Sequence, residues 1–252
     1  MEISKTKISR FSQLRNKKFR NEYGLFLVEG TKGVLDSIPA FCLENLIATK
    51  EWITDNSSDI QDIEAERILT ATQKDLDKIS SLSNPAQVIA VFRLPVEQLN
   101  LSRPLPADCY IVLDGIQDPG NLGTIIRTAH WFGIKHIFCS KDTVDAFNPK
   151  TVQSTMGSLA KVHVTYCDII ELLRSNPKLR SYALDLNGDN LFEQSSLSSG
   201  FFIFGREGSG LRSDVKKEVS DFLTIPPAIK ENHPDSLNVA VAAAITMAQI
   251  KK

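Results

Sequence analysis

The chain has 252 residues, 42% of them hydrophobic, and a formal net charge of −1. That length holds one large domain or two ordinary ones with a core that needs no disulfide or metal staples. No apolar run reaches the length of a membrane span, and the N-terminus is basic and polar rather than a charged cap before an apolar signal region, so a cytoplasmic protein is expected. Cys42, Cys109, Cys139 and Cys167 are widely separated, with no Cys-x-x-Cys pair and no histidine at ligand spacing, which argues against zinc and against a disulfide framework. A near-neutral total leaves any nucleic-acid function to local charge.

Local charge is present at the start. Residues 1–20 carry Lys5, Lys7, Arg10, Arg15, Lys17, Lys18 and Arg20 against one acid, Glu2. Such a segment either neutralises phosphates, gaining affinity from released counterions, or is a solvated basic helix or frayed terminus. Leu25 to Gly30 then reads as a buried strand, with Thr31 capping a helix to about Ser37. Another apolar stretch follows around Leu43 to Ala48, a further strand is expected at Val88 to Phe92, and a helix near Gln73 to Ile79 follows an acidic polar span at Asp55 to Glu66. These make a small α/β unit. Leu94 to Asp108 holds three prolines and no periodicity, so it is the expected linker. The boundary is placed at 103/104, giving domains 1–103 and 104–252.

Beyond it, strands are expected at Ile111 to Gly115, Lys135 to Cys139, Lys161 to Tyr166, Ser181 to Leu186, Phe201 to Phe204 and Phe222 to Ile225. A helix should start near Asn121 as its N-cap, a short one should cover Asp168 to Arg174, and Ser236 to Ile250 should form a largely buried helix. Strands separated by helices imply a mostly parallel sheet with helices on both faces.

Three stretches carry chemistry. In NLGTIIRTAHWFG, Arg127 sits among apolar residues, where an arginine usually meets a planar anion; a salt bridge to Glu207 or Asp114 is the structural alternative. In FFIFGREGSGL, a strand runs into a turn with Gly205, Gly208, Gly210 and one carboxylate, Glu207. That turn lacks the Lys-Ser/Thr of a P-loop and the G-x-G-x-x-G of a dinucleotide site. In IPPAIKENHPDSLNV, Ser236 and Asn238 precede an alanine-rich helix that either could cap.

Asn121-x5-Arg127, Phe204-Gly205-x-Glu207-Gly208-x-Gly210-Leu211, and Ile225-Pro226 followed by Ser236-Leu237-Asn238-Val239 resemble, in order, the three motifs of the SpoU/TrmH family of RNA ribose methyltransferases. The resemblance covers about residues 107–252. Residues 1–103, with FLVEG and NPAQVIAVF, are similar to the ribosomal-protein-like RNA-binding domain that many members carry. The resemblance implies S-adenosylmethionine-dependent methylation of a ribose 2′-hydroxyl on a sheet whose C-terminal segment forms a trefoil knot, in a homodimer that needs no metal. Ribosomal RNA is the implied substrate; transfer RNA, or a non-catalytic role in ribosome assembly or resistance, are the alternatives.

It further implies a polar catalytic shell of Asn121, Arg127, Glu207, Ser236 and Asn238, with the cofactor held by Phe204, Gly205, Gly208, Ile225, Pro227 and Leu237. Arg127 would assist the hydroxyl either as an unusual base or by gripping the adjacent phosphate; a guanidinium stays protonated at neutral pH, which favours orientation and charge stabilisation. The stretch Pro226 to Asp235 departs from the family's compact I-P-M-x-G loop, being longer and lacking the glycine. Arg206 stands where a smaller residue is commoner, free either to touch phosphate or to pair with an acid.

Overall fold

The computed structural model describes residues 1–96, 104–194, 197–229 and 234–252. The chain forms two compact units, one of Met1–Val96 with Asp145–Lys161, the other of Glu97–Val144 with Val162–Lys252. The boundary expected at 103/104 adjoins residues 97–103, which lie outside the described residues.

In the first unit, strands β1 (Leu25–Glu29), β2 (Leu43–Ala48), β3 (Ile68–Thr70) and β4 (Val88–Arg93) lie in the order β1-β4-β2-β3. β4 is antiparallel to both neighbours, and β2 runs parallel to β3. The basic N-terminal segment is helical: α1 (Lys5–Ser12) starts where the Ser4 side chain accepts from the Lys7 amide, and α2 (Lys17–Tyr23) ends at Gly24, whose left-handed φ of 64° favours glycine. The apolar residues between the cations explain the order. Ile8, Phe11 and Leu14 pack into a core with Leu25, Leu27, Ile89 and Val91. Helices α3 (Thr31–Ser37), α4 (Lys50–Asp55) and α5 (Gln73–Ile79) complete this part.

The second unit is built on a sheet ordered β10-β8-β9-β5-β6-β7, every neighbouring pair parallel. Its strands are β5 (Cys109–Leu113), β6 (His136–Ser140), β7 (His163–Cys167), β8 (Ser181–Asn190), β9 (Gly200–Phe204) and β10 (Asp221–Thr224). Every residue of β5 and β9 is buried, so both faces of the sheet are covered there, as continuous apolar runs require. α6 (Pro119–Trp131) packs against the C-terminal helix, whose twelve residues run Val239–Ile250.

α7 (Pro149–Thr155), in the stretch that belongs to the first unit, was not expected from the sequence. Its residues TVQST hold a single apolar side chain, Val152, too little for a periodic apolar face. Just ahead of it Phe147 packs on Phe26, with ring centroids 4.7 Å apart. The short helices Ile169–Arg174 and Ser213–Lys216 are α8 and α9, and Val239–Ile250 is α10.

Candidate active site

The strand order reverses at β5, which has β6 on one side and β9 on the other; in parallel sheets a crevice opens at the C-terminal strand ends at such a point. There the Asp114 amide donates to the Phe204 carbonyl at 2.8 Å, tying the two strand ends together. The Asp114 carboxylate is fully buried and accepts from the Arg212 amide at 2.9 Å and Arg212 Nε at 2.7 Å. Burial pulls the Arg212 pKa down, but the hydrogen bond and charge of Asp114 outweigh it and leave the guanidinium above its ordinary value.

The Arg206 side chain crosses Gly115 and ion-pairs with Asp142, so Arg206 has taken an acid as partner. A hydrogen bond from the Ser140 hydroxyl, then that from Arg206, hold Asp142 below the usual carboxylate range against the opposing effect of burial.

Three of the five expected catalytic side chains meet. α6 begins earlier than the sequence reading placed it: Asp118 is the N-cap, accepting from the Asn121 amide at 2.8 Å, and Pro119 takes the first helical position. The correction has a physical reason, since proline at the first position loses no helical hydrogen bond and its φ is already helical. With capping done by Asp118, the Asn121 side chain is free of that role and its Nδ2 donates to Glu207 Oε1 at 2.7 Å.

Glu207 sits in a turn closed by two backbone bonds between Arg206 and Gly210, of 3.1 and 2.9 Å. Gly208 and Gly210 have φ of 83° and 67°, and a Cβ on Gly205 would overlap the backbone of Gly210 and Leu211. The glycines are therefore what lets the turn fold back on itself.

Asn238 closes the cluster. Its Oδ1 caps α10 by accepting from the Ala240 and Val241 amides at 2.9 and 3.3 Å. Its Nδ2 must then face the other way, and it donates to Glu207 Oε1 at 2.8 Å and to Asn121 Oδ1 at 3.1 Å. The other helix-capping candidate, Ser236, is exposed and lies outside α10. Arg127 is also exposed, and among the described residues it makes no salt bridge to Glu207 or Asp114. Six residues beyond Asn121, it stands about 120° around the helix from the cluster.

Residues 108–248 match the SpoU rRNA Methylase family, and residues 5–90 match an MRM3-like substrate binding domain. The chain belongs to the SpoU rRNA methylase family. A Bacillus subtilis relative, 23S rRNA (guanosine(2553)-2′-O)-methyltransferase RlmP, is 31% identical over 97% of this chain and 96% of its own length. A TrmH-family structure from Porphyromonas gingivalis is 32% identical and superposes with a TM-score of 0.86, covering 99% of this chain and 98% of that one. The AdoMet-bound rRNA methyltransferase from Sinorhizobium meliloti is 27% identical, with a TM-score of 0.84 over 100% of this chain and 97% of that one.

The SpoU motifs fit an adenosyl ligand in their physical character. Phe204 is buried and Gly205 half-buried, so at these two positions the strand end presents backbone rather than side chains. Ile225 and Pro227 follow β10 on the same strand-end edge, and Leu237 is exposed beside the Asn238 cluster. Residues 230–233 of the divergent loop lie outside the described residues. A neighbour of the Ile225 segment was not expected from the sequence. β8 runs on to Asn190 rather than ending at Leu186, and its pairing with β10 skips from Ala183 to Asp189. The loop so made bears an exposed Leu186, and the Leu186 carbonyl accepts from Thr224 Oγ1 at 3.3 Å, next to Ile225. The Asn187-Gly188 dipeptide was the available signal.

The expected RNA contacts divide. Lys5, Arg10, Lys17 and Lys18 are exposed. Lys7 Nζ donates to Asn45 Oδ1 at 3.1 Å, and Arg15 donates to the Ile79 and Lys78 carbonyls at 3.2 and 2.7 Å. Arg20 is a correction: it is 1% exposed, ion-paired to Asp145 at 2.6 Å, and donates through Nη1 to the Leu14 and Arg15 carbonyls. A guanidinium enclosed by its own fold holds that fold together and does not reach phosphate.

Among the described residues no helix is long and apolar enough to cross a membrane.

Proposed function

We propose that this chain methylates a ribose 2′-hydroxyl of ribosomal RNA, with S-adenosylmethionine as donor. The observation that carries the reading is the Asn121–Glu207–Asn238 cluster, assembled from all three motifs at one strand-end edge. The full-length match to an enzyme named for 2′-O-methylation of 23S rRNA, and the AdoMet-bound relative, support the substrate and the cofactor.

S-adenosylmethionine supplies a methyl group made electrophilic by its sulfonium. The residues that would hold it are the backbone of Phe204, Gly205 and Gly208, the segment Ile225 to Pro227, and Leu237. The chain's own task is to bring a hydroxyl into line and manage its proton. Glu207 Oε1 accepts two amide N–H groups and is thereby fixed, while the planar Arg127 guanidinium orients the ribose or its adjacent phosphate. Ser236, exposed ahead of Asn238, completes the polar shell when RNA is bound. A homodimer belongs to the same reading: α6 and α10 pack together and leave Trp131 and Val241 exposed, at 85% and 47%, on helices that flank the site.

Calorimetric titration of S-adenosylmethionine and a methyl-transfer assay on ribosomal and transfer RNA test this. Micromolar binding is expected in the parent, weakened in Asn238→Ala and largely kept in Arg127→Ala, with transfer to ribosomal RNA lost in both. No binding with or without RNA would overturn the proposal.

A further inference from the structure

The cations of residues 1–20 are not equivalent. Lys7, Arg15 and Arg20 are spent on Asn45, on backbone carbonyls and on Asp145. Lys5, Arg10, Lys17 and Lys18 are exposed and form no ion pair among the described residues.

Two aromatic rings lie among these exposed cations. Arg10 Cζ sits 4.9 Å from the Tyr23 ring centroid, the Tyr23 and Phe19 rings are 5.8 Å apart at 30°, and Lys18 Nζ is 5.8 Å from the Phe19 centroid. Tyr23 is held from two sides: its ring packs against the core of the unit, and its hydroxyl donates to Gln13 Oε1 at 2.9 Å. Lys5, Thr6, Ser9, Arg10, Gln13 and Tyr23 line an open groove beside it.

A planar guanidinium over a fixed ring, with no carboxylate to claim it, is a stacking surface for another flat group. The surrounding lysines suit a ligand that brings phosphates with that flat group. A duplex offers phosphates but keeps its base faces stacked inside, whereas an unpaired strand offers both. We infer that this surface binds an unpaired RNA segment, one base stacking on the Arg10–Tyr23 pair while Lys5, Lys17 and Lys18 meet the flanking phosphates. The inference rests on the RNA-methyltransferase reading for its ligand class.

Charge and planarity can be separated at Arg10. Binding of the full chain to a short unpaired RNA oligonucleotide, and to the duplex formed with its complement, is measured by fluorescence anisotropy across a salt series. Arg10→Lys keeps the charge and loses the plane, so affinity for the unpaired strand should fall about tenfold, with the salt slope and the duplex affinity unchanged. Lys17→Gln and Lys18→Gln should each flatten the slope for the unpaired strand by about 0.7. Tyr23→Phe keeps the ring and should keep the affinity, and the thermal midpoints of these surface variants should match the parent's.

No loss in Arg10→Lys, or equal losses for strand and duplex, overturns the inference. If the parent transfers methyl to ribosomal RNA while Arg10→Lys shows no discrimination, the surface fails and the enzyme reading stands. Discrimination by a parent that transfers to no RNA leaves the surface intact and removes the enzyme reading.

Discussion

Asn238 serves two structures through one amide, its oxygen capping α10 and its nitrogen turned to Glu207 and Asn121. The two roles have different chemical requirements, because a cap needs only an acceptor while the contact with Glu207 needs a donor. Asn238→Asp therefore keeps the cap and destroys the other contact, placing a second carboxylate beside Glu207. The expected result is loss of methyl transfer with urea stability lowered by no more than about 1 kcal/mol. Asn238→Ala should lose transfer and about 1 kcal/mol of cap stability as well. If Asn238→Asp transfers at the parent rate, the amide bridge is not part of the chemistry. Sequence could name these residues, but not that they touch. Asn121 is 86 positions from Glu207 and 117 from Asn238, and no local rule of spacing connects positions so far apart.

At the scale of elements, what sequence conveys is burial, and what it hides is exception. The parallel sheet is legible because strands covered on both faces must be apolar throughout, as Cys109–Leu113 and Gly200–Phe204 are. The start of α6 is misread because Asn121 and Asp118 are both good caps, and only Pro119 decides between them. The interrupted pairing of β8 with β10 has a sequence cause that acts across strands: a Cβ on Gly188 would come within 2.6 Å of the Phe222 and Leu223 carbonyl carbons. Gly188→Ala must push β10 away from β8, costing about 1–3 kcal/mol. Because Ile225 continues from β10, the same change should weaken S-adenosylmethionine binding by calorimetry. A variant of parental stability and affinity would show that β10 yields without cost and that the strand-end edge does not depend on this contact.

Over the whole molecule, the compact units do not follow the order of the chain. Asp145–Lys161 lies within the stretch that matches the SpoU family, yet it belongs to the unit formed by the first 96 residues. Its attachment is both apolar and ionic. Phe147 packs on Phe26 and lies near Phe41, with centroids 4.7 and 6.5 Å away, and Asp145 holds the enclosed guanidinium of Arg20 through Nε and Nη2. The side chains of that pair are only 2% and 14% exposed, so the bond is a buried one and its partners are not replaceable by water. Removing the carboxylate alone leaves Nη1 on its carbonyls but strands the remaining charge, which costs far more than an exposed pair is worth. Asp145→Ala should thus lower urea stability by about 3–5 kcal/mol, and should expose the amides of α2 and β1 to hydrogen exchange ahead of those of β5 and β9. The double replacement Arg20→Met with Asp145→Leu should recover part of the loss, since it removes the stranded charge along with its partner but leaves the Leu14 and Arg15 carbonyls without their Nη1 donor. A loss in Asp145→Ala below about 1 kcal/mol, the range of exposed pairs, would mean that the stretch is held by its aromatic contacts and that Arg20 is solvated when its partner leaves.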